Sequence, residues 1–185
     1  PMIGQHNVEN ATAVAAMCLK LGLTTQEIQK GFATFKGIKR RQEVVGVKNE
    51  VTVIDDFAHH PTAIQLTLEA VQEAYPGRRI WAIFEPRSAT CKRKVFEDRL
   101  PKSFTPANRV IIADLFAPDK IAPEDRLDPK LVVERINDDG GDAYFIPEIE
   151  TLVDKLAVEC RPQDVLLIMS SGGFSGIHQK LLDRL

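Results

Sequence analysis

Cysteine is scarce in this 185-residue sequence. The three present, Cys18, Cys91 and Cys160, are far apart, odd in number and form no CxxC pair. That argues against a disulfide framework and for reduced thiols in a cytoplasmic protein. No run of 18 apolar residues is available to span a bilayer, and no secretory leader opens the chain. Net charge is small: 24 basic and 26 acidic residues leave −2, without a polyelectrolyte drive toward nucleic acid or membrane surfaces. Neither GxxxxGK(S/T) nor GxGxxG occurs, so the chain lacks a phosphate loop of the familiar kinds. It begins at Pro1 without an initiator Met, as a processed protein or a piece of a longer one would.

What remains is an ordinary globular composition, 44% hydrophobic and 27% charged. The length suits one domain, or one domain with a piece of a neighbour. From Asn7 to Leu21 apolar residues recur near the helical period, and Gly22 stops the pattern. Thr24 and Glu27 then form a capping box ahead of Ile28, Phe32 and Phe35. Two helices without a strand make a poor domain, so residues 1–36 read as the tail of a preceding domain. Gly37–Arg41 reads as a hinge, and residues 37–185 as the domain proper. Short β-branched runs follow at 43–47, 51–55, 79–84, 109–113, 143–146 and 165–169. The first two are joined by Lys48-Asn49-Glu50, short enough for a hairpin. Helical patterns lie between most of the others, at 61–75, 91–100, 130–137, 149–159 and 176–185. Alternation of this kind, with runs such as "VLLIM" apolar on both faces, predicts an α/β fold. We expect a Rossmann-like, mostly parallel sheet of about six strands, with one antiparallel edge and helices on both faces. Residues 117–129, rich in proline and acid, predict a surface loop.

Open parallel sheets bind ligands at the carboxyl ends of their strands, and three unusual segments fall there. Asp55-Asp56-Phe57-Ala58-His59-His60-Pro61 follows the second strand. Glu85-Pro86-Arg87-Ser88 follows the third, and Ser170-Ser171-Gly172-Gly173-Phe174-Ser175-Gly176 the last. Each admits a plain reading. The acids can end a strand and cap a helix whose first residue is Pro61. Arg87 can be a surface ion-pair partner, and the glycines ordinary turn chemistry. Each also admits a functional one. Asp and His ligate metals, although neighbouring residues point apart. An arginine fork recognises carboxylate or phosphate. Free backbone N–H groups in a glycine turn meet anions. Arg40-Arg41 is either an exposed hinge or a basic reach toward phosphates. His6, Asn7 and Asn10 are either caps or groups offered to a base.

Taken in order, "GQHNVENATAVAA", "GIKRRQE", "VIDDFAHHPTAI" and "FEPRS" resemble the Mur ligase family, the ATP-dependent amide ligases of peptidoglycan synthesis. The resemblance spans essentially the whole chain: residues 1–36 look like the end of the family's central ATPase domain, and 37–185 like its C-terminal domain. It implies that Asn7 and Asn10, with His6 nearby, border adenine. It implies that Arg41, with Arg40 as a helper, reaches the nucleotide phosphates. Asp56 would bind the ribose, and His59 would sit by the reacting centre. Arg87 would hold a carboxylate of the incoming peptide, with Lys92 or Arg93 as a second basic group. Ser170, Ser171, Gly172 and Gly173 would line the pocket for the peptide's far end. "FEPRSAT" and "SSGGFSGIHQKLL" look more like members that join a recycled L-Ala-γ-D-Glu-meso-diaminopimelate tripeptide to UDP-N-acetylmuramic acid than like those that add free L-alanine. The latter usually carry His-Arg where this chain has Arg87-Ser88. The phosphate loop and the Mg²⁺ ligands that serve ATP would lie in the absent central domain. The partners implied are the two substrates and the remainder of the same polypeptide. This stretch alone is then expected to be inactive.

Overall fold

A computed structural model describes residues 2–185. Its centre is a six-stranded sheet in the order β1-β2-β6-β3-β4-β5. The strands are β1 Glu43–Lys48, β2 Val51–Asp56, β3 Ile80–Phe84, β4 Arg109–Ile112, β5 Ala143–Phe145 and β6 Val165–Met169. Only β1 and β2 pair antiparallel; every other pairing is parallel. Asn49 and Glu50 join the hairpin, both with positive φ (47° and 62°), the conformation a two-residue turn matched to strand twist demands. The register slips between Val44 and Gly46. A Cβ at Gly46 would stand 2.8 Å from the Leu182 side chain, so a glycine lets the last helix lie on this edge.

Side chains of the central strands alternate between two apolar layers, as the two-residue period requires. Ile54, Ala82, Phe84, Leu167 and Met169 join one layer, with Ile64, Leu68 and Val71 of α3 (Pro61–Ala74) and Val132 and Ile136 of α4 (Pro129–Asp138). Val53, Trp81, Ile83, Leu166 and Ile168 join the other, with Leu152, Val153 and Leu156 of α5 (Ile149–Glu159) and Ile177 and Leu181 of α6 (Ile177–Arg184). Helices therefore cover both faces, as the patterning predicts. Beneath the second layer the buried Asp164 accepts from Arg79 Nε at 3.0 Å and from Trp81 Nε1 at 3.0 Å, which satisfies a charge inside the domain.

One short segment differs from expectation. Residues 91–100 form turns and a single 3₁₀ turn, Lys94–Phe96, rather than a helix. Arg93 is extended and bridges Arg126, while Lys92 turns inward, so this stretch is tied to the loop at 117–126 instead of to itself. That loop is not featureless either: it holds 3₁₀ turns at Pro118–Lys120 and Pro123–Asp125.

The first two helices, α1 (Gln5–Lys20) and α2 (Thr25–Thr34), contain no buried residue. The capping box of Thr24 and Glu27 is formed. Val8, Val14, Met17, Leu21, Phe32 and Phe35 are all exposed. The chain meets the domain at the start of α1: a Cβ on its N-cap, Gly4, would collide with Ala70 of α3.

Candidate functional site

The sheet order brings the three unusual segments side by side. β6 lies between β2 and β3, with Met169 aligned to both Asp56 and Phe84. The strand ends are laced together: Ser170 N–H donates to Asp56 O (3.2 Å) and Glu85 N–H to Met169 O (3.1 Å). Loops after β2, β3 and β6 thus share one carboxyl edge, where an open sheet receives ligands.

Asp55 and Asp56 diverge there because neighbouring strand residues face opposite sides. Asp56 follows Ile54 toward α3. Its two oxygens accept N–H from Gln42 (2.8 Å) and Ala58 (2.7 Å). Burial pushes its pKa up, and the two N–H donors and Arg41 oppose that shift. Asp55 follows Val53 to the other side, where Arg40 Nε stands 3.2 Å from Oδ2. His178 Nε2 stands 3.2 Å from Asp55 Oδ1, although neither atom is aligned for a hydrogen bond. No group of three or more His, Cys, Asp or Glu suited to a metal gathers among the described residues.

A cavity of about 370 Å³ opens on the Asp56 side. Its polar lining is His6, Asn7, Asn10, Arg41, Gln42 and Asp56, and its apolar lining includes Ile38, Ala58 and Leu66. One helical turn brings His6, Asn7 and Asn10 to a common face. Five of the six residues expected around a nucleotide thus meet in one place, though α1 and the sheet are remote in sequence. The sixth, Arg40, turns the other way. Its Nη2 donates to Ser170 O (2.7 Å) and Gly172 O (2.6 Å). Arg40 and Arg41 both pack over Phe57, each about 5 Å from the ring centroid (5.3 and 5.2 Å). The hinge dipeptide is split between two sites.

On the Asp55 side, Arg87 lies against the glycine turn. A Cβ on Gly172 would fall 2.0 Å from Arg87 Nε, so the absence of a side chain makes room for the guanidinium. Arg87 Cζ sits 3.4 Å from the Phe116 ring centroid, and Nη1 is 3.5 Å from Glu85 Oε2. Ser170 Oγ donates to the same Glu85 oxygen (2.7 Å) and accepts from Gly172 N–H (3.0 Å). Lys92 is spent on the Phe116 and Ala117 carbonyls (3.0 and 3.1 Å), and Arg93 pairs with the exposed Asp125. Neither is free to join Arg87 without giving up those partners. Ser171 is half-buried and Gly173 exposed on the same turn.

His59 Nδ1 lies 2.8 Å from Phe57 O, which makes Nδ1 the donor and leaves Nε2 as the acceptor when the ring is neutral. His59 does not line the cavity. Its neighbour His60 caps α3 by accepting from Thr62 N–H (3.2 Å). Sequence reasoning missed Gln42, Phe57, Phe116 and His178. The first follows a recognised basic pair and the last lies one place past a buried position of α6. Neither carries a sequence signal of its role.

The fold and this edge define a Rossmann-like domain with two polar recesses on either side of one strand end. The family model described as "Mur ligase, glutamate ligase domain" matches residues 40–172, well over half of the chain. The chain belongs to the Mur ligase family. It is 37% identical over 185 residues to the UDP-N-acetylmuramate–L-alanyl-γ-D-glutamyl-meso-2,6-diaminoheptandioate ligase of Haemophilus influenzae, covering 100% of this chain and 39% of that protein. It is also 37% identical over 171 residues to the UDP-N-acetylmuramate–L-alanine ligase of Acetivibrio thermocellus, covering 91% and 35%. The crystal structure of a murein peptide ligase from Psychrobacter arcticus superposes with a TM-score of 0.76 at 34% identity, covering 100% of this chain and 38% of that one. The chain spans under two-fifths of the length of these relatives.

Proposed function

We propose that this chain is the C-terminal part of an ATP-dependent ligase that joins a recycled L-Ala-γ-D-Glu-meso-diaminopimelate tripeptide to UDP-N-acetylmuramic acid. The observation that carries the reading is the convergence of His6, Asn7, Asn10, Arg41 and Asp56 on one cavity, beside an arginine held in a glycine turn. Amides over apolar walls suit a nucleobase, a carboxylate suits ribose hydroxyls, and a guanidinium suits phosphates. ATP supplies the phosphoryl group that activates the sugar carboxylate. The residues on hand bind and orient: Asp56 and Arg41 hold the nucleotide, and Arg87 holds a carboxylate of the acceptor. Ser170 to Gly173 line the acceptor's far end, and His59 stands near the reacting centre. Positioning of this kind removes several kcal/mol of barrier, about 7 or more when alignment is complete. Mg²⁺ and its ligands belong to the part of the protein outside this chain. Residues 1–36 belong to the preceding domain, a reading supported by two helices whose apolar side chains stay exposed.

A second reading keeps the chemistry and changes the acceptor to free L-alanine, since relatives of both names match at 37% identity. The test is ADP release by the full-length protein with UDP-N-acetylmuramic acid and either acceptor. Turnover with the tripeptide alone supports the first reading; turnover with L-alanine alone replaces it by the second. The chain of residues 1–185 by itself is expected to release no ADP with either acceptor.

A further inference from the structure

The resemblance sends Arg40 to the nucleotide phosphates beside Arg41, but its bonds run to the acceptor side. Nε donates to Asp55 Oδ2 (3.2 Å), and Nη2 donates to both Ser170 O (2.7 Å) and Gly172 O (2.6 Å). Three of the five N–H groups of the guanidinium are thereby spent. The backbone is held as well, since Arg40 N–H donates to Glu43 Oε2 (2.7 Å). Glu43 and Asp55 are partners across the β1–β2 ladder, so Arg40 engages two acids on one face of the sheet. Asp55 is 7% exposed, which shields its pairing with Arg40 from salt. The φ of Arg40, 59°, is left-handed, a conformation that a residue with a side chain keeps only where its surroundings fix it.

A clamp on two carbonyls also sets the amides. In a trans peptide the N–H points opposite to the C=O of the same unit, and every described peptide bond is trans. With Ser170 O and Gly172 O drawn to Arg40, the N–H groups of Ser171 and Gly173 point away from it. Neither makes a hydrogen bond to the described residues. Gly172 N–H is closed on Ser170 Oγ (3.0 Å), and Gly172 is also where Arg87 is seated. Resting on the acceptor reading above, we infer that Arg40 is a positioning residue for the acceptor rather than a phosphate ligand. It touches no substrate. It fixes two peptide planes of the turn, so that the free N–H donors and the seat of Arg87 are in place before the acceptor arrives. Asp55 is the anchor of the clamp.

The experiment uses the full-length protein and measures acceptor KM and kcat, with the tripeptide or, if that is the acceptor turned over, L-alanine. Titration calorimetry gives ADP affinity, and thermal unfolding checks that each variant is folded. The variants are Arg40→Lys, Asp55→Asn and the two combined. Arg40→Lys keeps the charge but replaces a fork by donors on a single atom. It is expected to raise the acceptor KM by about tenfold or more, with kcat and ADP affinity unchanged. Asp55→Asn slackens the clamp and is expected to raise the same KM by about fivefold. Because both act through one bond, the double variant should cost no more than Arg40→Lys alone; effects that multiply overturn Asp55 as the anchor. A purely structural role reads differently, because a partly unfolded population lowers kcat and leaves KM where it was. If ADP affinity falls about as much as acceptor affinity, the remaining N–H groups, on Nη1, serve the phosphates and the inference is overturned. It is also overturned if the folded single variants keep the wild-type acceptor KM. If Arg40→Lys fails to fold, Asp55→Asn decides alone. If the wild type turns over neither acceptor, the ligase reading itself falls and takes the inference with it.

Discussion

Asp56 is under two opposed influences. Burial favours its neutral form, while the N–H groups of Gln42 and Ala58 each occupy one of its oxygens and favour the carboxylate. Asp56→Asn removes charge but must present an NH₂ group to one of those donors. We expect it to lower the melting temperature of the nucleotide-free protein by a few degrees, on the order of 1–3 kcal/mol. It should also weaken ADP binding by about tenfold or more. Scanning calorimetry and titration calorimetry measure the two effects separately. Arg87 is held by shape as much as by charge, stacked on Phe116 and seated at Gly172. Arg87→Lys keeps the charge but loses the plane and the fork. In the full-length protein it is expected to raise the acceptor KM by about tenfold or more and to leave ADP affinity unchanged, read by steady-state kinetics and titration.

Among the elements, the β1–β2 hairpin and the turn after β6 are the most open to test. Glu50 occupies a left-handed conformation that costs a side-chain-bearing residue about 1 kcal/mol. Glu50→Gly should therefore raise the melting temperature by about 2–4 °C, and a fall would show that the side chain holds the turn. Gly172→Ala is a different case. The atoms a new Cβ would meet belong to a movable arginine, so the domain should stay folded while Arg87 is displaced. The expected signature is an unchanged melting temperature with an acceptor KM raised about as much as in Arg87→Lys. How much of these elements could be read from the residues follows from where their determinants lie. The strands and α3 to α6 were legible because their own side chains set the period. Residues 91–100 were not, because Lys92 and Arg93 take their partners from a loop some thirty residues on. A local pattern cannot report such a bond.

Across the whole molecule, charge pairs contribute to stability in acid. Glu159 has its pKa lowered by the bond from Lys155, with a further contribution from Arg109, and Glu150 by Lys180. Groups depressed in the native state stabilise above their unfolded pKa, 4.5 here, and lose that contribution as pH falls through the native value. Asp56, raised by burial, works in the opposite sense: its contribution is full below 3.8 and fades as pH rises. Unfolding followed by circular dichroism should show a melting temperature that drops below about pH 4.5. Glu159→Gln should make that drop shallower, and a slope unaffected by the substitution would remove Glu159 from the account. Both pairs are partly exposed, so added salt should blunt the effect. The site was half legible at this scale. Sequence order alone could place three loops at one edge, but only the insertion of β6 between β2 and β3 makes them neighbours. That insertion also bears on biosynthesis. The strand at the middle of the sheet, β6, is the last of the six in chain order. A nascent chain still lacking it holds two half-sheets, β1-β2 and β3-β4-β5, with facing unpaired edges. The sheet cannot close until Val165–Met169 has been made, and until then those exposed edges are the ones a chaperone would need to shield.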